Sequence, residues 1–416
     1  MARRALILVE GHAMDTGLLY IQAARRLGLI PIVLLADSTQ DDSFAREGIE
    51  AIRVDANDLD ALICECSKVR GIYDIAGITS ADESLYATVG KLCRHFRLLG
   101  PNPESIERCC DKFVQRQLLA QAGVPMPAYC VAANATDVER AAVEIGLPVV
   151  LKPAVGTCSI GVRLCRNYDE LAEHTTYLLD GKHIWPSSPR ILVEEFAQGP
   201  QYTAQIMGNE VIGFTAAHFG PPPYFVYREF SFPALLTDDE HERIADVSLR
   251  CLRALGLGWG PTNIEVRCTK HGPVVIEVNP RLAGTPDPQL VQLAYGIDLV
   301  TEHIKLAIGG EWNLRKRHSQ TAAVRFLVAD RDGVLDWTDG HNLAAVISGV
   351  AEVKLYIEPK SPIVRKGDYR DTIAHVIAAS DSLAQTEAIL QRSVDLINWS
   401  ITPFQALNEQ DRPADP

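Results

Sequence analysis

The chain has 416 residues and a net charge of −13, and this length allows two or three domains with a large buried core. The acidic balance argues against a protein that binds nucleic acid or anionic membranes. The ten cysteines include no CxxC pair, which predicts reduced thiols in a cytoplasmic protein rather than a zinc or disulfide framework. The longest apolar run before Glu10 has only five residues, Ala5–Val9, too few for a signal peptide, and no segment reaches the ~18 apolar residues of a membrane span.

The first hundred residues alternate short apolar runs with helical patterns. Ala5–Val9 and Ile32–Leu35 predict strands, and Thr16–Leu27 between them predicts a helix. Weaker units of the same kind follow, with strands at Ile52–Asp55 and Ile72–Ile78 and helices at about Ala56–Cys66 and Glu83–His95. This alternation predicts an open α/β domain with a mostly parallel sheet. The first turn, at His12, lacks the GxGxxG pattern, so we interpret it as a structural turn; a substrate role at the strand ends stays open.

A connector, GPNP at residues 100–103, separates this domain from a predicted single helix, Glu104–Ala122. A small α/β module follows, and then a third module leads through a long helix to a β-hairpin. The tail domain beyond it, about Arg315–Thr402, contains predicted strands and a final helix, and the last dozen residues, Gln405–Pro416, are polar. The predicted units are 1–103, an N-terminal α/β domain; 104–200, a central helix with a small module; 201–314, a larger module; and 315–416, a C-terminal lobe.

The hairpin lies within Thr262–Asp287, where two alternating strands flank the turn Lys270–Pro273. Each strand has one apolar face and one polar face. The apolar faces are predicted to hold Ile264 and Val266 in the first strand, and Val274, Ile276 and Val278 in the second.

The polar faces of the two strands predict a cation site. Folding the hairpin about His271 places Glu265 opposite Glu277, and the same register places Asn263 opposite Asn279. Like charges that face each other are destabilising, but a divalent cation between them reverses the sign. Carboxylate and amide oxygens suit Mg²⁺, which takes one or two carboxylates together with substrate phosphates. A solvated hairpin with acids placed by chance is the alternative interpretation.

Four further features accompany the hairpin. Arg281, two residues beyond Asn279, would share its face and suits a phosphoryl group or carboxylate. The apolar strand VVLKP delivers Lys152 at its end. A glycine-flanked loop, Gly156–Gly161, carries Thr157 and Ser159 and suits phosphate oxygens, although it lacks the GxxxxGK[ST] form. A last apolar strand runs into Glu194, Glu195 and Phe196.

The order of these parts over residues 100–310 resembles the ATP-grasp superfamily, and within it the L-amino acid ligases. The segments GPTNIEVR, GPVVIEVNPRLAG, GPPPYF and DYRDTIAHVIAAS carry the second likeness. The resemblance implies a mixed fold of α/β and α+β units: a Rossmann-like pre-ATP-grasp domain, a small lid subdomain and a larger mixed α+β domain with a C-terminal lobe.

The resemblance also implies a role for each candidate residue. Catalysis is assigned to Arg281 and Lys152. Binding of ATP is assigned to Lys112, Lys152, Gly156, Thr157, Ser159, Gly161, Glu194, Glu195, Phe196 and Gln201. Binding of Mg²⁺, which Mn²⁺ can replace, is assigned to Glu265, Glu277 and Asn279. Gln201 and Gln205 stand where the family usually has acids, which puts in doubt how the ribose or a second cation is held.

Some of these residues have structural alternatives. The alternative for Lys112 is an exposed lysine on a helix. The alternative for Glu194 is the cap of the next turn, and the alternative for Arg281 is a structural partner of Glu265 or Glu277. The segments Leu282–Asp287 and His218–Tyr227 are predicted to form substrate walls, and Asp287 is placed to meet an ammonium group. A rigid turn packed on the hairpin is the alternative for the second wall.

The implied function is an ATP-dependent carboxylate–amine ligase. It would join an amino acid or small acid to an amine through an acyl phosphate, with release of ADP and phosphate and no protein nucleophile. The resemblance further implies a cytoplasmic homodimer that acts on small molecules. Two alternatives are a biotin-carboxylase-like or formyl-phosphate-type enzyme, and an inactive ATP-binding regulatory protein, for which Gln201 and Gln205 are the only support.

Overall fold

The computed structural model of the protein describes residues 3–10, 15–35, 48–156, 159–180 and 190–404. The turn at His12 and the predicted loop residue Thr157 therefore lie outside the described residues. None of the described helices is long and apolar enough to cross a bilayer.

The N-terminal unit is a parallel sheet of four strands in the order β3-β2-β1-β4. Its elements are β1 (Arg4–Glu10), α1 (Asp15–Arg26), β2 (Ile30–Leu35), β3 (Glu50–Arg53), α2 (Leu59–Arg70), β4 (Asp74–Thr79), a 3₁₀ turn (Glu83–Leu85) and α3 (Tyr86–Phe96). Alternate residues of β1 face opposite sides of the sheet: Leu8 packs near Tyr20 of α1, and Ile7 packs near Leu62 of α2. Burial on both faces explains the continuous apolar runs, and the predicted α/β domain is confirmed.

The predicted single helix Glu104–Ala122 is wrong, because the structure has two helices, α4 (Pro103–Cys110) and α5 (Lys112–Gln121). Asp111 between them is extended, with φ −91° and ψ 105°, and its side chain accepts hydrogen bonds from the backbone N–H groups of Phe113 and Val114. Aspartate is a strong helix N-cap, so it starts a new helix here. As a result, Lys112 is the first residue of α5.

The next unit is an antiparallel sheet of four strands in the order β5-β8-β6-β7. It consists of β5 (Tyr129–Ala132), α6 (Ala135–Ile145), β6 (Val149–Pro153), β7 (Arg163–Cys165), α7 (Tyr168–Leu179) and β8 (Ile191–Glu195). Val149 and Leu151 of β6 pack with α6 and α7. Because side chains alternate along a strand, Lys152 belongs to the opposite face of β6.

The rest of the chain is built around one sheet of eight strands in the order β13-β12-β9-β10-β11-β14-β18-β16. In chain order its elements and their neighbours are β9 (Gln201–Met207), β10 (Glu210–Phe219), β11 (Tyr227–Phe232), α8 (Asp238–Leu255), β12 (Pro261–Thr269), β13 (Gly272–Asn279), α9 (Asp287–Tyr295), α10 (Leu299–Ala307), β14 (Thr321–Val328), β15 (Gly333–Asp339), α11 (His341–Ala345), β16 (Val350–Leu355), β17 (Pro362–Ile363), a 3₁₀ turn (Tyr369–Asp371), β18 (Thr372–Ser380), α12 (Leu383–Val394) and β19 (Asn398–Thr402). A small sheet, β17-β15-β19, lies beside it. Since β11 pairs with β14, the predicted boundary at 314/315 falls between strands of one sheet.

Helix α8 covers one face of this large sheet at the hairpin end. Its start is held by a capping box between Thr237 and Glu240. Buried residues of α8 pack with Ile264 and Val266 of β12. The opposite face of β12 and β13 carries the polar residues and is open to a cavity.

Candidate active site

A cavity of about 570 Å³ lies between the small sheet and the polar face of the large sheet. It gathers most of the predicted site residues: Lys112, Lys152, Gly156, Ser159, Glu194, Glu195, Phe196, Gln201, Glu265, Glu277, Asn279 and Arg281. Gly161 lies between two lining residues, Ile160 and Val162. The chain thus brings together side chains from segments more than a hundred residues apart.

The hairpin has the predicted pairing at its functional end, with Glu265 opposite Glu277 and Asn263 opposite Asn279. Towards the turn the register shifts by one residue, so that Val266 lies opposite Val275 rather than Ile276. This is a β-bulge, in which two residues of one strand face one residue of the other.

The bulge corrects the predicted apolar face of β13. Val275 and Val278 are buried in the core under the sheet, whereas Ile276 lines the cavity next to Glu277. Strict alternation, which placed Val274 and Ile276 in the core, fails because the bulge adds one residue between Val275 and Glu277.

The two facing glutamates are electrostatically unlike. Burial, and then the charge of Glu277, raises the pKa of Glu265 to about 7. Burial would also raise the pKa of Glu277, but the Lys112 and Lys152 ammonium groups outweigh it and hold that pKa below its usual range. Lys112 Nζ lies 2.8 Å from Glu277 Oε1. This ion pair is one reason why Glu277 is the more acidic of the two.

This donor set fits a divalent cation. The described residues contain no cluster of three or more His, Cys, Asp and Glu side chains suited to a metal, so other oxygens must complete a shell around the carboxylate pair. Asn279 Nδ2 donates to Asn263 Oδ1 at 3.1 Å, which leaves the side-chain oxygen of Asn279 as the atom it can offer to a cation. Mg²⁺ accepts such a set, because phosphate and water oxygens supply the rest.

A buried ion-pair network orients Lys152. Its Nζ lies 2.5 Å from Glu194 Oε2, and Arg116 Nε lies 2.6 Å from Glu194 Oε1. Burial raises the pKa of Glu194, but the two cations lower it below its usual range. Arg116 also donates to the carbonyl oxygen of Ile276. The interpretation of Glu194 as a turn cap is therefore wrong: it joins α5, β6 and β8.

Two participants were absent from the sequence-based set. Arg116 lies four residues after Lys112, and this i, i+4 spacing on α5 was an available signal for a shared face. Arg281 Nε donates to Glu83 Oε2 at 2.7 Å. Glu83 belongs to the N-terminal unit, 198 residues away, and no local pattern relates it to Arg281.

Gln201 connects the carboxylate pair to Arg267, whose guanidinium lies near aromatic rings. Its Nε2 donates to Glu265 Oε2 at 2.9 Å, and its Oε1 accepts from Arg267 Nε at 3.1 Å. The guanidinium of Arg267 lies 5.5 Å from the ring centre of Phe196 and 5.6 Å from that of Phe225. A neutral amide at Gln201 thus satisfies both neighbours without adding a third acid beside Glu265.

The cavity becomes aromatic away from the carboxylate pair. The predicted wall His218–Tyr227 contributes Phe219, Phe225 and Tyr227, whereas His218 itself is exposed. Of the predicted wall Leu282–Asp287, Leu282 is buried in the core and the residues Ala283, Gly284, Thr285 and Asp287 line the cavity. Gln205 is buried below the cavity floor and donates to Thr215 Oγ1 at 3.2 Å.

Comparison with known families agrees with this geometry. Residues 145–288 match the ATP-grasp domain, and residues 325–402 match the L-amino acid ligase C-terminal domain 2. This chain belongs to the ATP-grasp superfamily. The second matched domain is that of the L-amino acid ligases, which are ATP-dependent carboxylate–amine ligases, and it does not favour the biotin-carboxylase-like alternative.

Three individual proteins illustrate the relationship. This ATP-grasp chain is 60% identical over 410 residues to the uncharacterized protein y4rH of Sinorhizobium fredii, covering 99% of the chain and 86% of y4rH. It is 27% identical to carnosine synthase 1 of Homo sapiens over 60% of the chain, which spans only 32% of that relative. The crystal structure of L-amino acid ligase from Bacillus licheniformis has the same fold, with a TM-score of 0.83, 19% identity and coverage of 97% of this chain and 100% of that one.

Proposed function

We propose that this protein joins an amino acid or small carboxylic acid to an amine through an acyl phosphate, with release of ADP and phosphate. The observation that carries the proposal is a single cavity with two halves. One half holds a carboxylate pair and three cations, Lys112, Lys152 and Arg281, and the other is lined by aromatic side chains. Phosphoryl transfer needs the first half, and an organic substrate needs the second.

The chemistry explains why ATP is required. A carboxylate is a poor electrophile at neutral pH, because its negative charge repels an attacking amine and it has no good leaving group. Transfer of the terminal phosphoryl group to the carboxylate supplies that leaving group. No protein nucleophile takes part, so the chain needs to position the reactants, neutralise charge and exclude water.

The polar half of the cavity serves the nucleotide. Glu265, Glu277 and Asn279 would hold Mg²⁺, which neutralises the terminal phosphates when bound. Lys152, oriented by Glu194, and Lys112 balance the charge of the phosphate chain.

The loop Gly156–Gly161 covers the nucleotide, and its described residues support this role. Ser159 has φ 59° and Gly161 has φ 73°, both in the left-handed region, while the carbonyl oxygen of Gly156 accepts from Lys112. The segment Glu194–Phe196 contacts the adenine end, and Gln201 lies between that segment and the cation site.

Arg281 binds the carboxylate of the acid substrate and then the acyl phosphate. Its guanidinium lines the cavity and pairs with Glu83, so the N-terminal unit sets its direction. The homodimer and the cytoplasmic location also stay predictions.

The test is a phosphate-release assay over pairs of amino acids and other small acids and amines, with ADP measured in parallel. We expect ADP and phosphate in equal amounts, and only when both an acid and an amine are present. Formation of AMP and pyrophosphate would contradict the proposal, as would turnover with bicarbonate or formate alone.

A further inference from the structure

Asp287 is a buried carboxyl group in the wall of the cavity that the mechanism above does not use. It is the first residue of α9, has only 6% of its surface exposed and lines the cavity. Thr215 Oγ1 donates to Asp287 Oδ1 at 2.9 Å, and Gln205 Nε2 donates to Thr215 Oγ1 at 3.2 Å. The threonine proton is therefore directed at Asp287, and the carboxylate is the final acceptor of this chain of donors.

The other carboxylates that line the cavity are already engaged. Glu194 binds Lys152 and Arg116, Glu277 binds Lys112, and Glu265 accepts from Gln201. Glu195 accepts a hydrogen bond from the backbone N–H of Ala128 at 3.3 Å.

Asp287 differs from these groups, because within the described part of the chain no lysine, arginine or histidine forms an ion pair with it. A buried carboxylate without a cation is costly. Burial raises the pKa of Asp287 to about 7, against the opposing effect of the hydrogen bonds from Thr215 and Gln205. A pKa in this range suits a group that exchanges a proton near neutral pH.

The sheet register places Thr215, the hydrogen-bond partner of Asp287, between the carboxylate pair and the aromatic half of the cavity. Thr215 of β10 lies opposite Thr203 of β9, and Thr203 lies opposite Glu265 of β12. Neighbouring strands are about 4.8 Å apart, so the backbone of Thr215 is about 10 Å from that of Glu265. In the other direction, Phe230 of the aromatic half lies opposite Ala217, two residues after Thr215.

We propose that Asp287 receives the ammonium group of the amine substrate and takes a proton from it. The inference rests on the proposed function, in which the acid is activated at the Arg281 end of the cavity. A carboxyl group between the two halves then meets the attacking nitrogen. Asp287 is in this sense a catalytic residue, and it selects a substrate that arrives as a cation.

The ammonium gives one proton to Asp287 and becomes a neutral amine with a free electron pair. That pair forms the C–N bond at the acyl carbon, and the C–O bond to phosphate breaks with its electrons on the phosphate. The second N–H proton leaves with the phosphate as HPO₄²⁻, and Asp287 returns its proton to solvent.

The experiment compares two nucleophiles on the same activated acid. Hydroxylamine is already unprotonated at neutral pH and traps acyl phosphates as hydroxamates, so it needs no base. For Asp287→Asn we expect kcat for amide formation to fall by about a hundredfold or more, the usual contribution of a general base. Hydroxamate formation at saturating hydroxylamine should change less than about threefold, because acid activation does not use Asp287.

Two further variants make the result interpretable. Asp60→Asn, on the exposed surface of α2, is the matched control and should change neither rate. Thr215→Val removes the hydroxyl that orients Asp287 and should slow amide formation, by less than Asp287→Asn, without affecting hydroxamate formation. It serves as the second test if Asp287→Asn does not fold.

Three outcomes would overturn the inference. Unchanged amide formation by Asp287→Asn would show that another group takes the proton. An equal loss with both nucleophiles would show that Asp287 acts in activation or folding instead. If the wild-type protein forms no hydroxamate with any acid, the proposed function itself fails and this inference fails with it.

Discussion

Individual charges in this cavity are held by partners before any substrate binds. Lys112 is paired with Glu277, Lys152 with Glu194, and Arg281 with Glu83. Each pair keeps a cation for phosphate or carboxylate in place and avoids leaving a buried charge uncompensated. Under the proposed function, Glu277 would exchange its lysine partner for a metal cation when nucleotide binds.

Glu277→Gln tests the cation site. The amide keeps the size of the side chain but removes the negative charge that a divalent cation requires, so turnover should fall by about a hundredfold or more. Phosphate release at saturating ATP measures this loss, and circular dichroism should show an unchanged fold. Glu210→Gln, at an exposed site on β10, is the control. Retention of wild-type turnover by Glu277→Gln would remove Glu277 from the metal site.

Arg116→Met tests the network that orients Lys152. Arg116 is fully buried, so its loss leaves Glu194 with one cation instead of two and should cost about 3 kcal/mol or more of unfolding free energy. The KM for ATP should also rise, because Lys152 loses a fixed partner. Urea denaturation and ATP titration measure the two effects.

Arg140→Met is the matched control for Arg116→Met. Arg140 pairs with Asp137 at the surface, where its side chain is 72% exposed, so the change should cost less than about 1 kcal/mol. It should leave the KM for ATP unchanged. Equal losses of stability in the two variants would mean that the buried network has no special role.

At the scale of helices and strands, strongly periodic segments were predictable and tertiary features were not. Strands such as Val149–Pro153 carry their apolar pattern and their turn residues in the sequence. Strand β11 was missed, because Tyr227–Phe232 follows a proline-rich turn and is held by pairing with β10 and β14. Such strands depend on neighbours distant in the chain more than on local propensity.

The candidate site shows the same division. Glu265 and Glu277 were predictable as a facing pair because hairpin partners are close in sequence. The bulge beside them left no readable signal, since it changes which face Ile276 occupies without changing the residue types. Glu83 was out of reach for a different reason: its partner Arg281 lies on another domain, and only the packing of the domains brings them together.

Asp111→Ala tests whether the break between α4 and α5 positions Lys112. Loss of the N-cap should cost about 1 kcal/mol of unfolding free energy. The KM for ATP should rise several-fold, because Lys112 directly follows the cap. Asp58→Ala removes the equivalent cap of α2, where Asp58 accepts from the Ala61 N–H, and should cost about the same stability without changing the KM. If both variants bind ATP as the wild type does, the helix break has no role in the site.

Across the whole molecule, the N-terminal unit and the large sheet share a core, whereas the small sheet has its own. Leu6 and Tyr20 pack in one cluster with Ile304 and Ile377. The junction is also polar, since His303 forms hydrogen bonds with the hydroxyl groups of Tyr20 at 2.6 Å and Tyr86 at 2.8 Å. The small sheet packs around a separate cluster drawn from residues 130–193. Under the proposed function, it is therefore the unit that we expect to close over ATP.

The N-terminal unit contains a buried acid that should make global stability depend on pH. Glu10, at the end of β1, accepts from the Ala81 N–H at 2.9 Å, and burial raises its pKa from 4.5 to about 8. Between these two values the folded protein holds a proton that the unfolded chain has released. The contribution of Glu10 to stability is therefore full below the unfolded pKa and is lost as the pH rises towards and beyond about 8.

Glu10→Gln isolates this effect, because the amide keeps the acceptor for Ala81 and never ionises. From pH 6 to pH 9, the unfolding free energy of the variant minus that of the wild type should increase by at least about 1 kcal/mol. The reason is that only the wild type has to ionise a carboxyl group in the low-dielectric interior. Urea denaturation at the two pH values measures the change. Glu311→Gln, at an exposed site, should track the wild type at both. A constant difference in unfolding free energy between Glu10→Gln and wild type across this range would mean that Glu10 does not titrate there. The buried site of Glu10 would then have to tolerate a charged carboxylate.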